Sequence, residues 1–285
     1  MPRLLTIDDL YDPHNNWKSL LEQVAWLGPA YEDWKKRDVG GRTVAVHFGD
    51  NSNRSPGLHA SELNTCVRQA VYALRGEPRQ AANPDVNMQN RFDVGTMLHA
   101  LLQTEFEEVC ATTLGQVSLE DEVRIDKNLG GVSAQYDYSS SCDGVFTFCD
   151  TVGQPYLRLG WEIKTTSADE FEKLTGPKDH HLQQATLYQK ALDVPLMWFL
   201  YYNKSNSNWT PPTAPWVVPF NRNEWNTLEG RSQLAHQHLQ AGTLPDREEG
   251  MPCKWCAFSE TCRPTILKLH TTWRKKTSPP RRLTK

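Results

Sequence analysis

The chain predicts an α/β domain built on a central mixed β-sheet flanked by helices. Three observations carry that reading. A strong helical period runs over residues 91–110, and β-type alternation replaces it between 116 and 165. A helix, a strongly β-prone run and another helix then follow between 178 and 241. With 285 residues and 38% hydrophobic content the chain can bury a full core, which argues against wholesale disorder. No internal repeat is visible.

Residues 1–58 read as a helical and loop extension. Trp17, Leu20, Leu21, Val24 and Leu27 form one apolar helical face, stopped near Gly28-Pro29. A second short helix holds Tyr31 and Trp34, and 39–57, rich in Gly, Asn and Ser, reads mostly as loop. Ser61 is a candidate N-cap for a helix through Cys66 to about Leu74, ended by Gly76 and Pro78. Residues 77–90 read as a polar linker. The helix from about Arg91 to Cys110 is expected to bury Phe92, Met97, Leu98, Leu101, Leu102 and Phe106.

Gln116–Asp126 alternates, with Val117, Leu119, Val123 and Ile125 on one face. Asp121 interrupts that face and predicts a bulge or an edge position. Asn128-Leu129-Gly130-Gly131 supplies turn chemistry. Val132–Tyr138, Cys142–Cys149 and Tyr156–Thr165 follow as strand candidates. Lys178–Leu192 reads as a helix, Leu196–Tyr202 and Trp216–Pro219 as strands, and Arg222–Ala241 as a helix.

The net charge of −3 hides an asymmetry. From Arg263 to Lys285 there are eight Lys/Arg and no Asp or Glu, so residues 1–262 carry a balance of −11. No run of 18 apolar residues occurs and the first residues lack a signal-peptide stretch. A cytoplasmic protein with no membrane span is therefore expected. In that setting the seven cysteines are not read as disulfides.

Two short segments carry chemistry. Asp143 begins one strand candidate, and Glu162 and Lys164 lie near the end of the next. Period 2 puts Glu162 and Lys164 on one face, opposite Ile163. If the two strands pair, Asp143 approaches that face. Two carboxylates and a lysine suit phosphodiester hydrolysis with Mg²⁺ or Mn²⁺, which prefer oxygen donors. A bare Glu-x-Lys is also an ordinary edge-strand ion pair, and a lone His99 among apolar neighbours is more often a core residue. His180, Gln184 and Tyr188 recur at i, i+4, i+8 and share a helix face.

In order along the chain, Gly95/His99, Asp143, Glu162/Lys164 and Gln184/Tyr188 resemble the G-x3-H, D, E-x-K, Q-x3-Y pattern of RecB-type nuclease domains of the PD-(D/E)XK superfamily. Cys66, in Ser61-Glu62-Leu63-Asn64-Thr65-Cys66-Val67-Arg68, and the C-x2-C-x5-C of Cys253, Cys256 and Cys262 resemble the cysteine arrangement of that family's iron–sulfur members. These include the AddB nuclease domain and CRISPR-associated adaptation exonucleases. The resemblance covers about 59–265 as one nuclease domain and leaves 266–285 as a basic tail. Ser139-Ser140-Ser141-Cys142 stands where the family has glycine before its Asp; Asp137 is a rival six residues earlier.

The resemblance implies a PD-(D/E)XK core and a metal-dependent DNA exonuclease of repair, recombination or DNA-end processing, with a phage setting suggested. Endonuclease activity and a non-catalytic DNA-end-binding module are the alternatives. Asp143, Glu162, the Ile163 carbonyl and His99 would ligate Mg²⁺ or Mn²⁺. Lys164 would be the catalytic lysine, with Gln184 and Tyr188 positioning DNA or catalytic groups. Cys66, Cys253, Cys256 and Cys262 would hold a [4Fe–4S] cluster, with Zn²⁺ as the alternative. Thr165 and Thr166 would contact phosphate. The basic segment, including Lys275 and Lys276, offers sequence-independent attraction to DNA, and Cys110, Cys142 and Cys149 read as core thiols. The resemblance also implies protein partners in a recombination or adaptation complex.

Overall fold

The computed structural model describes residues 3–12, 18–37, 41–48, 56–80, 85–209, 216–248, 253 and 256–262. Trp17, Trp255 and the basic segment with Lys275 and Lys276 lie outside the described residues. Its elements are α1 (Lys18–Ala25), α2 (Leu27–Lys36), α3 (Ala60–Leu63), α4 (Val67–Leu74), α5 (Val86–Val109), β1 (Val117–Ile125), α6 (Gly131–Gln135), β2 (Ser140–Cys149), β3 (Pro155–Thr166), α7 (Ala168–Phe171), α8 (Asp179–Leu192), β4 (Leu196–Asn203), β5 (Trp216–Pro219) and α9 (Arg222–Gln240). The five strands form one sheet in the order β1-β2-β3-β4-β5. Only β3 and β4 pair in parallel, because α7 and α8 carry the chain back between them. The predicted mixed α/β architecture is present. Among the described residues no helix is long and apolar enough to cross a membrane.

Each face of the sheet has its own core. On one side α1, α2 and α5 pack Val24, Tyr31, Leu102 and Phe106 on Phe146, Trp161 and Trp198. The Phe106 ring sits edge-on to Trp161 at 4.9 Å and to Trp198 at 5.5 Å. On the other side α3, α4, α8 and α9 pack Leu63, Val71, Leu187 and Leu228 on Val145, Phe199 and Tyr201.

Four local expectations need correction. Gly28-Pro29 does not stop a helix; it lies in the first turn of α2, where a missing N–H costs nothing. The helix expected from Ser61 is two helices, α3 entered from His59 and α4 from an extended Cys66. Remote groups hold that break: Glu248 accepts the Val67 N–H at 2.8 Å, and Arg231 donates to Glu248 and to the Leu63 and Thr65 carbonyls. Val132–Tyr138 is no strand. Gly130 and Gly131 (φ 78° and 52°) turn the chain into α6, which places Val132 and Tyr136 one helical turn apart.

Finally, α5 starts ahead of Arg91, because the Asp85 carboxylate caps it by accepting the Met88 N–H at 2.8 Å. No residue of its first three turns is buried, and Phe92 and Met97 are 48% and 42% exposed. The edge position signalled by Asp121 is correct. The neighbouring Glu122 adopts a left-handed φ of 47°.

The N-terminal segment is sewn onto later parts of the chain. Leu5 N–H donates to the Tyr156 carbonyl at 3.0 Å, and the Tyr11 hydroxyl donates to that of Phe220 at 2.9 Å. Its strongest anchor is Glu105 on α5, 1% exposed, which accepts from the Tyr31 hydroxyl at 2.6 Å and from Lys35 and Arg42. Arg42 also lies 4.3 Å over the Trp34 ring. Removing one member of a buried charged cluster strands the others. Glu105→Ala is therefore expected to lower unfolding stability in urea by about 3–5 kcal/mol. A loss below about 1 kcal/mol, the range of exposed pairs, would show the cluster to be effectively solvated.

Candidate active site

The β2–β3 ladder ends at the pair Gly144–Trp161. There an added Cβ on Gly144 would sit 3.1 Å from the buried Trp161 ring and 2.8 Å from Leu119, so only glycine lets the strands close this tightly. Just past that pair the Asp143 carboxylate accepts the Ile163 N–H at 2.6 Å. In an extended strand a residue's N–H and C=O point to the same side. The Ile163 carbonyl is thus aimed toward Asp143. Period 2 then puts Glu162 and Lys164 together, and Lys164 Nζ donates to Glu162 Oε1.

The other sequence-predicted residues arrive from two helices. α5 delivers His99, whose Nδ1 lies 3.3 Å from Asp143 Oδ1. α8 delivers Gln184, 3.4 Å from Lys164 Nζ, and Gln184 Nε2 donates to the Tyr188 hydroxyl at 2.6 Å. His99, Asp143, Glu162, Ile163, Lys164, Gln184 and Tyr188 are therefore one contiguous network. Asp137 is exposed in the loop before β2 and takes no part in it.

Burial dominates the electrostatics, and the charges answer it. Glu162 is 2% exposed, and burial pushes its carboxyl up to about 7, with Asp143 adding to the rise against Lys164. Burial also works against ionised Asp143, but His99, Lys164 and the Ile163 N–H outweigh it and hold its carboxyl below the usual range. For His99 and Lys164, burial favours the neutral forms, yet the two carboxylates overcome it and raise both. Glu162 Oε2 is buried and has no hydrogen-bond partner among the described residues. A buried, unpartnered carboxylate oxygen fits a site for a hard cation. Among the described residues, however, no three His, Cys, Asp or Glu side chains are already closed into a metal-holding group.

Two participants escape the sequence. Gln103 is 5% exposed and donates to the Asp143 carbonyl at 2.8 Å and to Glu122 at 3.1 Å. It stands one helical turn beyond His99, so a polar residue recurring on the histidine's face was the available signal. Cys142 is fully buried, and its thiol donates to the Gly144 and Trp161 carbonyls at the end of the ladder. Burial, with Glu162 and Asp143, pushes that thiol well up, so it stays neutral. Beside the network, Gln184, Tyr188, Ser141, Glu122 and Arg124 line a cleft of about 550 Å³.

The threonines after β3's lysine differ. Thr165 is half-buried beside Gly95 of α5, whereas Thr166 is 5% exposed and spends its hydroxyl on the Ser167 carbonyl at 2.7 Å. Cys66, Cys253, Cys256 and Cys262 are half-buried free thiols. Burial raises the Cys256 thiol, and Cys253, Cys66 and Cys262 each add to the rise, but among the described residues the cysteines are not gathered into a metal-holding group. Arg68 points a guanidinium N–H at Cys262 Sγ, 3.7 Å away. Cys110 and Cys142 are buried core thiols, and Cys149 is half-buried.

No protein-family model and no curated protein matches the chain. Solved structures similar to it include the protein SSO0001, at 15% identity and a TM-score of 0.41 over 87% of this chain and 98% of that one. The alkaline exonuclease LHK-Exo of Laribacter hongkongensis matches at 11% identity and a TM-score of 0.39, covering 76% of this chain and 96% of its own. The same enzyme in complex with dAMP matches at 13% and 0.36, covering 75% and 95%.

Gln103→Leu keeps the volume and deletes both donors. It is expected to cost about 1–3 kcal/mol of unfolding stability in urea. No loss at all would mean that the Asp143 carbonyl finds another donor.

Proposed function

We propose that this chain is a metal-dependent deoxyribonuclease of the PD-(D/E)XK type, acting as an exonuclease on DNA ends in repair, recombination or end processing. The observation that carries the reading is the buried convergence of His99, Asp143, Glu162 and Lys164 where the β2–β3 ladder stops. Two carboxylates, an imidazole and an inward-facing carbonyl, that of Ile163, form a donor set suited to Mg²⁺ or Mn²⁺. Once bound, such an ion polarises the scissile phosphate and lowers the pKa of water.

The chain's own residues do the rest. Lys164, held charged by its carboxylate neighbours, is placed to orient the attacking water or to balance charge developing on phosphate. Gln184 fixes Lys164 on one side and Tyr188 on the other, which keeps the ammonium aimed into the site. His99 holds Asp143 ionised. Thr165 and the basic residues Lys275 and Lys276, the latter two outside the described residues, are proposed phosphate contacts.

The test uses end-labelled linear DNA and circular DNA, single- and double-stranded, with Mn²⁺. Release of label from linear DNA with circles left intact is expected. Lys164→Ala is expected to lose at least about a hundredfold in rate, as removal of one charge-stabilising donor does, while its circular dichroism shows the fold retained. Equal cleavage by Lys164→Ala would sink the assigned mechanism. Cut circles would favour an endonuclease.

We further propose that Cys66, Cys253, Cys256 and Cys262 hold a [4Fe–4S] cluster that staples the C-terminal segment to α4. Support comes from the spacing of the four cysteines along the sequence and from Arg68 facing Cys262, a contact that suits a thiolate ligand. Anaerobic purification is expected to give a brown protein absorbing broadly near about 400 nm. A colourless protein with one equivalent of zinc would overturn that assignment.

A further inference from the structure

The N-terminal half of α5 is the least buried helical segment near the site. From Val86 to Met97 none of its residues is buried, and Val86, Met88, Phe92, Val94 and Met97 are 75%, 39%, 48%, 38% and 42% exposed. Met88 and Phe92, one turn apart on the same face, leave two large apolar side chains in water, which marks a surface that meets something.

Its placement says what. Met88, Phe92, Gly95 and His99 recur at spacings of four, three and four, and so lie along one stripe of the helix. That stripe begins at the catalytic cluster, since His99 faces Asp143. Its middle is seated on the end of β3, where a Cβ on Gly95 would lie 3.4 Å from Thr165 Oγ1. Phe92 is seven residues outward from His99, about 10 Å along the axis. At about 3.4 Å per stacked nucleotide, that is two or three nucleotides from a phosphate held at the cluster.

The chemistry selects bases over phosphates. The segment carries only Asp85, Arg91 and Asp93 as charges, and Asp93 already accepts from Gln89 at 2.8 Å. A phosphate-tracking surface needs a positive excess, and this one has none. The exposed Phe92 ring, with Met88 one turn away on the same face, instead offers a surface on which any base can stack.

We propose that the projecting half of α5 is a stacking platform for unpaired bases of the DNA strand entering the site, with Phe92 as its central contact. The proposal rests on the nuclease reading above. A paired duplex covers its base faces, so the platform favours single-stranded or frayed ends and makes Phe92 a specificity-determining residue.

The experiment uses the full chain with Lys164→Ala, so that DNA is bound and not cut, in Mn²⁺. The probe is a single-stranded oligodeoxynucleotide carrying a fluorescent adenine analogue at successive positions from either end. Quenching is expected at one or two adjacent positions. Adding Phe92→Ala should abolish it and weaken binding about tenfold, and Phe92→Tyr should restore both. Because Phe92 is exposed, unchanged circular dichroism is expected in each variant.

Unaltered affinity and quenching in Phe92→Ala, from a chain whose Lys164 form cleaves DNA, would overturn the platform and leave the nuclease standing. Failure of the intact chain to bind or cleave DNA would remove both. A self-associated species that Phe92→Ala dissolves, with DNA binding untouched, would also overturn the proposal and assign the surface to a second copy.

Discussion

Two carboxylates buried side by side set the terms for the rest of this molecule. Asp143 and Glu162 share a poorly solvated corner where each opposes the other's charge. Such a pair persists only with compensating groups. Lys164 meets Glu162 from the same strand face, and His99 meets Asp143 from a helix. The second contact fixes where α5 must lie. A helix that buries Phe106 against Trp161 has to run past the sheet's end to bring His99 within 3.3 Å of Asp143. The aromatic core and the ionic site are thus two ends of one rod.

Neutral polar groups finish what the charges begin. Gln103 takes the Asp143 carbonyl and Cys142 takes those of Gly144 and Trp161, so backbone acceptors freed where the ladder stops remain paired. Among the described residues of the site, only Glu162 Oε2 is a buried oxygen without a partner. Glu248 and Arg231 use the same device at the break between α3 and α4, joining the segment before the terminal cysteines to the helix that Cys66 opens.

Much of this was legible in the sequence, and the exceptions share a cause. Strands β2 to β5 and helices α8 and α9 announce themselves through local alternation or helical spacing, because each buries the face its own pattern defines. Period 2 placed Glu162 and Lys164 together, whereas His99, Gln184 and Tyr188 were expected beside them only from the family resemblance. What local pattern cannot show is what a distant residue does. The break at Cys66 depends on Glu248, and α6 replaces an expected strand because two left-handed glycines redirect the chain. Phe92 and Met97 fit a buried stripe perfectly well, but the helix outruns the surface that would have covered it. Gln103 gave a weak signal, a polar side chain on an otherwise apolar face, whose meaning needed the position of Asp143.

The hydrogen bonds from Leu5 to Tyr156 and from Tyr11 to Phe220 have a consequence for how the chain is made. Residues that leave the ribosome early close onto partners synthesised some 150 and 209 positions later. They have nothing to hold until the sheet exists. Such long-range closure is intrinsically slow, and the apolar side chains of α1 and α2 stay uncovered during the wait. Synthesis at about 5–20 residues per second makes that interval roughly ten seconds or more. Through that interval the apolar faces of α1 and α2 belong to a stretch translated well before the sheet it docks against.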